Sequence, residues 1–335
     1  MKEDNDDFIK IISTLSLDEN LVYQITSIDR RIRLINISDL MMAEMQGDAS
    51  AREKQDAPLA EAEIIYGFGL PSDVINRAPK LKWIQTISAG VDRYINDDLR
   101  NSRVILTNVK GMHAVTISEF VIGEMLMFAK GAPSCFQQKQ MKQWKPFMPS
   151  VLHGKTVGII GLGGIGREIA RISKAFSMKV LATHRSAKRA ERARYVDKIY
   201  PMDDLTGLLG ESDFVVLALP LTHETTAMIG ERQLRRMKPT AFLINISRGK
   251  IIDEEALILS LKEHWIAGAG LDVFEAEPLP ADNRLWELPN VIFSPHIAGG
   301  MDNYVELATA IFCDNLKRHI DGKRLLRIVN KKRGY

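Results

Sequence analysis

A glycine-rich turn between a short apolar strand and a helix-like segment constrains the fold of this chain most. The strand is Thr156-Val-Gly-Ile-Ile, the turn follows as Gly-Leu-Gly-Gly-Ile-Gly, and an amphipathic stretch begins at Arg167. A tight turn, a close approach of backbone to pyrophosphate and close helix–strand packing each require a residue without a side chain. The helix start also offers unpaired N–H groups and a positive dipole end. The pattern predicts a dinucleotide-binding loop made of Gly161, Gly163, Gly164, Ile165 and Gly166.

The end of the next strand, Lys179-Val-Leu-Ala-Thr, indicates which dinucleotide binds. An acidic residue there would accept hydrogen bonds from the adenosine ribose and would repel a 2′-phosphate. The chain has His184, Arg185 and Ser186 instead, and no acid appears before Glu191. A guanidinium and a hydroxyl suit a phosphomonoester, although the basic run that continues from here also reads as a solvated helix face. We expect NADP(H) to be preferred over NAD(H).

Length and charge bound the class of protein. A chain of 335 residues is long enough for two domains, and a net charge of +3 is too balanced to indicate nucleic-acid binding. No apolar run approaches the length of a membrane span, and the acidic N-terminus is unlike a signal or transit peptide. Cys135 and Cys313 form neither a metal spacing nor a disulfide framework, and we expect both to be buried. We therefore expect a cytoplasmic protein without a structural metal.

Short apolar runs alternate with amphipathic helical stretches along the chain, which predicts parallel sheets covered by helices. The candidate strands are 32–36, 64–68, 83–87, 104–107, 156–160, 179–183, 213–219, 241–246, 267–272 and 291–294. Between the first four and the rest lies an apolar helical segment, 116–129, and a last helix is expected over about 301–318. A helix that is apolar on more than one face packs within one subunit or also forms a subunit interface.

Ionisable residues follow the ends of three successive strands in the second set, where open α/β sheets bind ligands. Arg248 follows strand 241–246, Asp272 ends strand 267–272 with Glu277 after it, and His296 follows strand 291–294. A guanidinium can clamp a carboxylate, and an imidazole near neutrality can give or take a proton. Each residue taken singly also reads as an ordinary loop residue. Together, beside a dinucleotide loop, they are better explained as a catalytic site in which Glu277 holds His296 in its charged form.

Five segments together resemble the D-isomer-specific 2-hydroxyacid dehydrogenase family. They are Ser88-Ala-Gly-Val-Asp, the Gly161 loop, Leu243-Ile-Asn-Ile-Ser-Arg-Gly-Lys, Leu271-Asp-Val-Phe-Glu-Ala-Glu-Pro-Leu-Pro and Ser294-Pro-His-Ile-Ala-Gly. The resemblance covers roughly residues 81–310. It implies two doubly wound parallel-sheet α/β domains of Rossmann-like and flavodoxin-like type, with the active site in the cleft between them. The substrate domain would comprise residues 1–100 plus 299–335, and the NAD(P)-binding domain residues 101–298.

The resemblance also implies roles for individual residues. Arg248 would orient the substrate, His296 would be the proton donor and Glu277 would support His296. The backbone N–H groups of Ser88, Ala89, Gly90 and Val91 would meet the substrate carboxylate. Asp272 would hold the nicotinamide end, and the cofactor would also contact Pro220, Thr225, Ile246 and Ser247. The family's usual acid after the second strand is missing here, as in its NADPH-using reductases.

The resemblance therefore predicts an NADPH-dependent reductase of a small 2-oxo acid such as glyoxylate or hydroxypyruvate, giving the D-hydroxy acid and acting as a homodimer. Two alternatives remain: a dinucleotide-sensing protein similar to the transcriptional corepressors of this fold, and a formate or phosphite dehydrogenase. Formate enzymes of the family carry an amide at the position of Glu277, which counts against formate. Tyr66, Phe68, Leu70 and Tyr304 are candidates to line the substrate side or, equally, to belong to the core.

Overall fold

The computed structural model describes residues 8–184 and 193–335 of the chain. The chain divides into two compact units. One combines the residues up to Met112 with Asp302–Tyr335, and the other is His113–Met301. The strand Ile105–Thr107 lies in the first unit, where it pairs with the strand that contains Trp83. The predicted domain boundaries at residues 100/101 and 298/299 stay a prediction.

The first unit is built on a five-stranded parallel sheet. Its strands are β1 (Ile9–Ser13), β2 (Ile32–Asn36), β3 (Ile64–Gly67), β4 (Trp83–Thr86) and β5 (Ile105–Thr107). They lie in the order β2-β1-β3-β4-β5. The helices are α1 (Glu19–Thr26), α2 (Ser38–Met45), α3 (Ala49–Ala60), α4 (Val74–Arg77), α5 (Asp97–Asn101) and, from the end of the chain, α12 (Tyr304–Ile320). Helix α12 joins this unit by packing, since Phe312 is fully buried and stacks on Tyr66 with ring centroids 4.1 Å apart.

The second unit is built on a seven-stranded parallel sheet. Its strands are β6 (Thr156–Ile160), β7 (Lys179–Thr183), β8 (Lys198–Tyr200), β9 (Phe214–Leu217), β10 (Phe242–Asn245), β11 (Gly268–Leu271) and β12 (Val291–Phe293). The order β12-β11-β10-β9-β6-β7-β8 reverses direction between β6 and β9. Doubly wound sheets bind ligands at the carboxyl ends of the strands beside such a reversal.

Helices cover both faces of this second sheet, which explains its continuous apolar strands. They are α6 (Ala114–Ala129), α8 (Gly164–Ala175), α9 (Leu205–Glu211), α10 (Glu231–Leu234) and α11 (Glu254–Lys262), with short 3₁₀ turns at Gly249–Ile251 and Arg284–Glu287. Helix α7 (Ala132–Gln140) follows α6 and has no buried residue. Two separate groups of buried apolar side chains form the core of this unit, one around Leu217 and Leu243 and the other around Ile159 and Val216. Successive residues of one strand, such as Val216 and Leu217, thus point to opposite faces of the sheet.

The predicted fold class, two parallel-sheet α/β domains, is confirmed. All ten predicted strands are present, most of them shorter by one or two residues at an end. The sequence reading missed β1 and β8. Strand β8 has three residues, only two of them buried, so its apolar signal is too short to separate from a loop. Among the described residues, no helix combines the length and the apolar character needed to cross a membrane.

Candidate active site

The glycine loop joins β6 to α8 as the sequence predicts. Gly161 has a φ of 105°, a conformation that side chains rarely adopt, and a Cβ there would collide with the carbonyl oxygen of Ala218. A Cβ on Gly166 would collide with the carbonyl oxygen of Gly161, so this glycine permits α8 to pack close to the turn. The hydroxyl of Thr183 accepts a hydrogen bond from the N–H of Gly161 at 3.1 Å, which ties the turn to β7.

Two further glycines of the loop face open space. A Cβ on Gly163 or Gly164 would have no atom within 4 Å, and Gly163 caps α8 without any side-chain hydrogen bond. The first N–H groups of a helix have no partner inside the helix, so an uncapped and open helix start is suited to a phosphate. The loop therefore fits a dinucleotide pyrophosphate, which Gly163, Gly164 and the N–H of Ile165 would hold.

The loop after β9 and the turn after β10 are tied together by Ser247. Its hydroxyl donates to the carbonyl of Leu217 at 2.7 Å and accepts from the N–H of Leu219 at 3.0 Å. Thr225 plays a similar part in the β9 loop, since its hydroxyl donates to the carbonyl of Pro220 at 2.8 Å. Both hydroxyls are buried and used within the protein. Ile246 packs in the core, whereas Pro220 is exposed, and a contact of these four residues with the cofactor stays a prediction.

The residues predicted to select the 2′-phosphate lie only partly within the structure. His184 follows β7, and its N–H donates to the carbonyl of Tyr200 at 3.3 Å, so this backbone continues the sheet pairing with β8. Arg185 and Ser186 lie outside the described residues. The preference for NADP(H) therefore stays a prediction that rests on the residue types at these positions.

His296 and Glu277 form a pair at the carboxyl edge of the same sheet. Nδ1 of His296 lies 2.8 Å from Oε2 of Glu277, and the two side chains are 41% and 19% exposed. Glu277 is held in turn, because its Oε1 accepts from the N–H of Phe274 at 3.2 Å. An ionised carboxylate can only accept, so Nδ1 must carry the hydrogen of this bond. Nε2 of His296 is then the atom left to exchange a proton with a ligand.

Asp272 anchors the loop that carries His296. This carboxylate is 2% exposed, and its Oδ1 accepts from the hydroxyl of Ser294 at 2.7 Å and from the N–H of Ile297 at 2.7 Å. Its Oδ2 accepts from the N–H of Ala298 at 3.0 Å. The N–H of His296 donates to the main-chain carbonyl of Asp272 at 2.9 Å. These bonds occupy both carboxylate oxygens, and the predicted contact of Asp272 with the nicotinamide stays a prediction.

The anchoring explains an unusual backbone conformation. His296 has a φ of 56°, in the left-handed region that costs a residue with a side chain about 1 kcal/mol or more. Such a conformation persists where surrounding contacts over-determine it, and four hydrogen bonds to Asp272 meet this loop from Ser294 to Ala298. The imidazole is therefore held in one direction by the backbone on one side and by Glu277 on the other.

Arg248 occupies the turn after β10. Its backbone is extended, its side chain is partly buried, and its Nη1 donates to the carbonyl of Ser247 at 2.7 Å. Asn245 shapes this turn, since its Nδ2 donates to the carbonyl of Arg248 at 3.0 Å and its Oδ1 accepts from the N–H of Ser247 at 3.0 Å. Gly249 lets the turn contact the backbone of Phe274, where any Cβ would collide. The Arg248 turn and the Glu277 loop are thereby brought into contact.

The sequence reading missed the two residues that shape this turn. Asn245 and Gly249 lie inside the segment that carried the family resemblance, but their residue types alone indicate only a turn. The signal that identifies their role is the contact between neighbouring strand ends, which depends on β10 lying beside β11.

The predicted substrate loop belongs to the first unit. Ser88 follows β4, and its hydroxyl donates to the carbonyl of Gly90 at 2.8 Å, while the carbonyl of Ala89 accepts from Nδ2 of Asn108 at 2.7 Å. Val91 is buried in the core of this unit. The loop is thus fixed from within, and its binding of a substrate carboxylate stays a prediction.

The four aromatic and apolar residues that were candidates to line the substrate side differ in how far they are exposed. Tyr66 is core, with no exposed surface and its hydroxyl 2.8 Å from that of Thr309. Phe68 is 57% exposed, and Leu70 packs partly buried against the core. The hydroxyl of Tyr304 donates to the carbonyl of Ile87 at 2.7 Å. Of the four, Phe68 is the residue whose side chain is exposed enough for a ligand to contact it over more than half of its surface.

The prediction that both cysteines are buried is wrong for Cys135, which is exposed, whereas Cys313 is partly buried. Helix α7 has no buried residue, so the apolar surroundings of Cys135 in the sequence do not become a core. Burial raises the pKa of the Cys313 thiol to about 11. Within residues 8–184 and 193–335, no three His, Cys, Asp or Glu side chains form a group that could hold a metal ion.

Comparison with known proteins agrees with the predicted family. Residues 122–298 match the family model described as D-isomer specific 2-hydroxyacid dehydrogenase, NAD binding domain. The chain is 38% identical over 271 residues to a glyoxylate reductase of Thermococcus gammatolerans, a match that covers 78% of this chain and 80% of the relative. It is 39% identical over 277 residues to glyoxylate/hydroxypyruvate reductase B of Pectobacterium carotovorum, covering 79% and 84%.

Solved structures show the same fold over nearly the whole chain. A D-isomer specific 2-hydroxyacid dehydrogenase of Xanthobacter autotrophicus, solved with NADPH and MES, has a TM-score of 0.81 at 26% identity and covers 98% of this chain and 100% of its own. A family protein of Aeromonas salmonicida has a TM-score of 0.81 at 31% identity and covers 96% and 99%. The family model spans more than half of the chain and includes the glycine loop, Arg248, Glu277 and His296. The chain therefore belongs to the D-isomer specific 2-hydroxyacid dehydrogenase family.

Proposed function

We propose that this oxidoreductase reduces a small 2-oxo acid to the D-2-hydroxy acid with NADPH. The observation that carries the proposal is the pair of His296 and Glu277, 2.8 Å apart at the sheet edge that also holds the glycine loop. Relatives named glyoxylate reductase and glyoxylate/hydroxypyruvate reductase B support glyoxylate and hydroxypyruvate as the candidate substrates.

Arg248 binds and orients the substrate in this proposal. Its planar guanidinium can hold a carboxylate through two parallel hydrogen bonds, which fixes the neighbouring carbonyl as well. The same positive charge stabilises the negative charge that develops on the carbonyl oxygen during reduction. The turn that Asn245 and Gly249 shape sets the direction of this side chain.

His296 supplies the proton. A bound NADPH would supply the hydride that the carbonyl carbon accepts. His296 in its imidazolium form donates the proton on Nε2 to the carbonyl oxygen, while Nδ1 stays bonded to Glu277. The carboxylate of Glu277 accepts the hydrogen on Nδ1, so the ring keeps one orientation while Nε2 gives up its proton.

A panel of 2-oxo acids assayed with NADPH tests the reaction, and chiral analysis of the product tests its D configuration. We expect turnover of glyoxylate or hydroxypyruvate and none of formate or phosphite with NADP⁺. A protein that binds NADPH at micromolar concentration but turns over no 2-oxo acid would contradict an enzymatic role and favour a dinucleotide sensor. Oxidation of formate or phosphite would identify the other alternative.

The cofactor preference has its own test. We expect kcat/KM to be higher with NADPH than with NADH, because Arg185 and Ser186 follow β7 where an acid would select NADH. Replacing Arg185 with Ala should raise the KM for NADPH and leave the KM for NADH unchanged. A wild-type protein that uses NADH better would refute this preference.

A homodimer is part of the proposal. The segment from α7 to β6 exposes large apolar side chains that a monomer would leave in water, among them Trp144 at 94% and Met148 at 95% exposure. Large apolar side chains exposed to this extent within one short segment indicate an interaction site. Light scattering should give twice the chain mass, and a monomer at micromolar concentration would contradict it. Trp144→Ser should shift the protein toward monomer.

A further inference from the structure

A buried carboxyl lies behind the His296 loop and takes no part in the proposed chemistry. Glu124, in α6, is 2% exposed. Neither of its oxygens has a hydrogen-bond partner among the described residues. A buried polar group without a partner costs about 1–3 kcal/mol, and a buried unpaired charge costs more. A position in the middle of an apolar helix would ordinarily avoid this cost with a leucine.

The carboxyl of Glu124 lies against the backbone of β11. A Cβ on Gly270 would lie 2.5 Å from Oε2, 2.7 Å from Cδ and 2.8 Å from Oε1 of Glu124, so glycine at this position makes room for the carboxyl group. Side chains two residues apart on an extended strand point to the same side. Asp272 lies two residues after Gly270, and its N–H continues the ladder by donating to the carbonyl of Asn245. Glu124 and Asp272 therefore face the same space.

Two carboxyl groups in a shared buried space cannot both be ionised without strong repulsion. Asp272 accepts three hydrogen bonds that stabilise its anion, and Glu124 accepts none from the described residues. The proton therefore belongs on Glu124. Burial, and next the charge of Asp272, raise the pKa of Glu124 to about 8.

Among the described residues, the other elements packed around α6 place no buried charged side chain at this position, and α7 has no buried residue at all. The buried residues of α8 and β10 are uncharged: Gly166, Ile169, Ala170, Ser173, Leu243, Ile244 and Asn245. At the start of α6 the imidazole of His113 is buried beside Gly299, and its burial lowers its pKa, so it is neutral in the alkaline range. Asp272 is the charged group that governs Glu124.

We propose that Glu124 is a positioning residue for His296: its neutral carboxyl permits Asp272 to hold the 294–298 loop, and its ionisation loosens that loop. When Glu124 loses its proton, the new charge faces the anion of Asp272 in a medium that screens it poorly. The repulsion weakens the acceptor that fixes Ser294, Ile297 and Ala298. Only the catalytic consequence of this loosening rests on the proposed function.

Hydrogen exchange of the peptide that covers residues 294–300 reads the loop directly and needs no substrate. We expect wild type and Glu124→Gln to exchange alike at pH 6.5. At pH 9 most Glu124 carboxyls of the wild type are ionised, and we expect its peptide to exchange about tenfold faster than that of the variant, since repulsion between two carboxylates in a poorly screened space is worth on the order of 1.4 kcal/mol. Hydroxide accelerates hydrogen exchange of every amide, so wild type and variant are compared with each other at the same pH. Glu119→Gln, an exposed glutamate on the same helix, is the matched control and should behave as wild type.

Thermal unfolding tests where the proton is held. A group whose pKa is raised in the folded state stabilises the protein fully below its ordinary value of 4.5, and that contribution is lost as pH rises through about 8. Relative to wild type, the Tm of Glu124→Gln should therefore rise between pH 5 and pH 8 and then level off. A constant offset from burying an amide does not affect this slope. If Glu124→Gln does not fold, Glu124→Leu should show the same two results.

Equal loop exchange of wild type and the neutral variants at pH 9 would overturn the proposal, as would a Tm difference that does not change with pH. In an active enzyme, turnover between pH 8 and pH 9.5 should fall less in Glu124→Gln than in wild type, and an equal fall would overturn the catalytic consequence. A protein inactive on every 2-oxo acid would refute the proposed function, while the exchange and unfolding results would still decide the role of Glu124.

Discussion

Two loops at the edge of the seven-stranded sheet differ in how they use their hydrogen-bonding groups. The glycine loop after β6 leaves the start of α8 uncapped, with open space above Gly163 and Gly164. The loop after β12 uses three of its hydrogen-bond donors within the protein, because the hydroxyl of Ser294 and the N–H groups of Ile297 and Ala298 all donate to the carboxylate of Asp272. A loop that binds a phosphate must keep its donors available, whereas a loop that aims an acid must fix one direction. The contrast separates a binding element from a catalytic one.

The largest effect should come from the residue that the second loop aims. We expect His296→Ala to reduce turnover about a hundredfold or more with little change in NADPH binding, since general acid catalysis typically contributes that much. His264 offers a matched control, because it is exposed and has a similar left-handed backbone with a φ of 53°. His264→Ala should keep wild-type kcat. Near-normal turnover of His296→Ala would remove the proposed mechanism.

The second largest effect should come from a change at Asp272, the residue that anchors the His296 loop. In Asp272→Asn, one oxygen becomes an NH₂ group that faces a donor, so at least one buried N–H or hydroxyl loses its acceptor. We expect a loss of about 1–3 kcal/mol in the free energy of unfolding and a fall in kcat of about tenfold as His296 loses its fixed direction. Denaturant unfolding and steady-state kinetics measure the two effects. The exposed Asp282→Asn should change neither, and an unaltered Asp272→Asn would contradict the anchoring role.

Two glycine substitutions separate folding from binding within the first loop. Gly161→Ala should lower the Tm, because its positive φ and the neighbouring carbonyl of Ala218 leave no place for a methyl group. Gly163→Ala has a negative φ and open space, so its Tm should equal that of wild type. Its methyl group would occupy the phosphate position, and we expect the Kd for NADPH to rise about tenfold. Equal NADPH binding by Gly163→Ala and wild type would show that the phosphates lie elsewhere.

The smallest effect concerns the charge next to His296. Glu277→Gln keeps the size of the side chain and removes its negative charge, so the imidazolium of His296 loses a stabilising partner. We expect kcat to fall by about fivefold or less, because Nδ1 of His296 can still donate to the amide oxygen and a partly exposed ion pair is worth about 1 kcal/mol or less. Steady-state kinetics with one 2-oxo acid measures this change. A loss as large as that of His296→Ala would show that the charge of Glu277, and not the hydrogen bond alone, is needed for the reaction.

Much of this architecture could be predicted from local patterns. Ten strands follow from apolar runs, and the glycine loop follows from its position between β6 and α8. The sequence missed β1 and β8. It also treated Cys135 as buried, because an apolar neighbourhood along the chain does not specify a neighbour in space.

The sequence by itself determined the elements and the chemistry-bearing residues at their ends, since periodicity and turn residues are local properties. Only the tertiary structure decided which of these residues meet. The order β12-β11-β10-β9-β6 brings Asp272 to the His296 loop and the Arg248 turn to the Glu277 loop, and the packing of α6 brings Glu124 against Gly270. His296 and Glu277 are 19 positions apart in the chain, and Ile297 and Asp272 are 25 positions apart. Packing determines the distance in space between such residues, so no local sequence pattern can predict it.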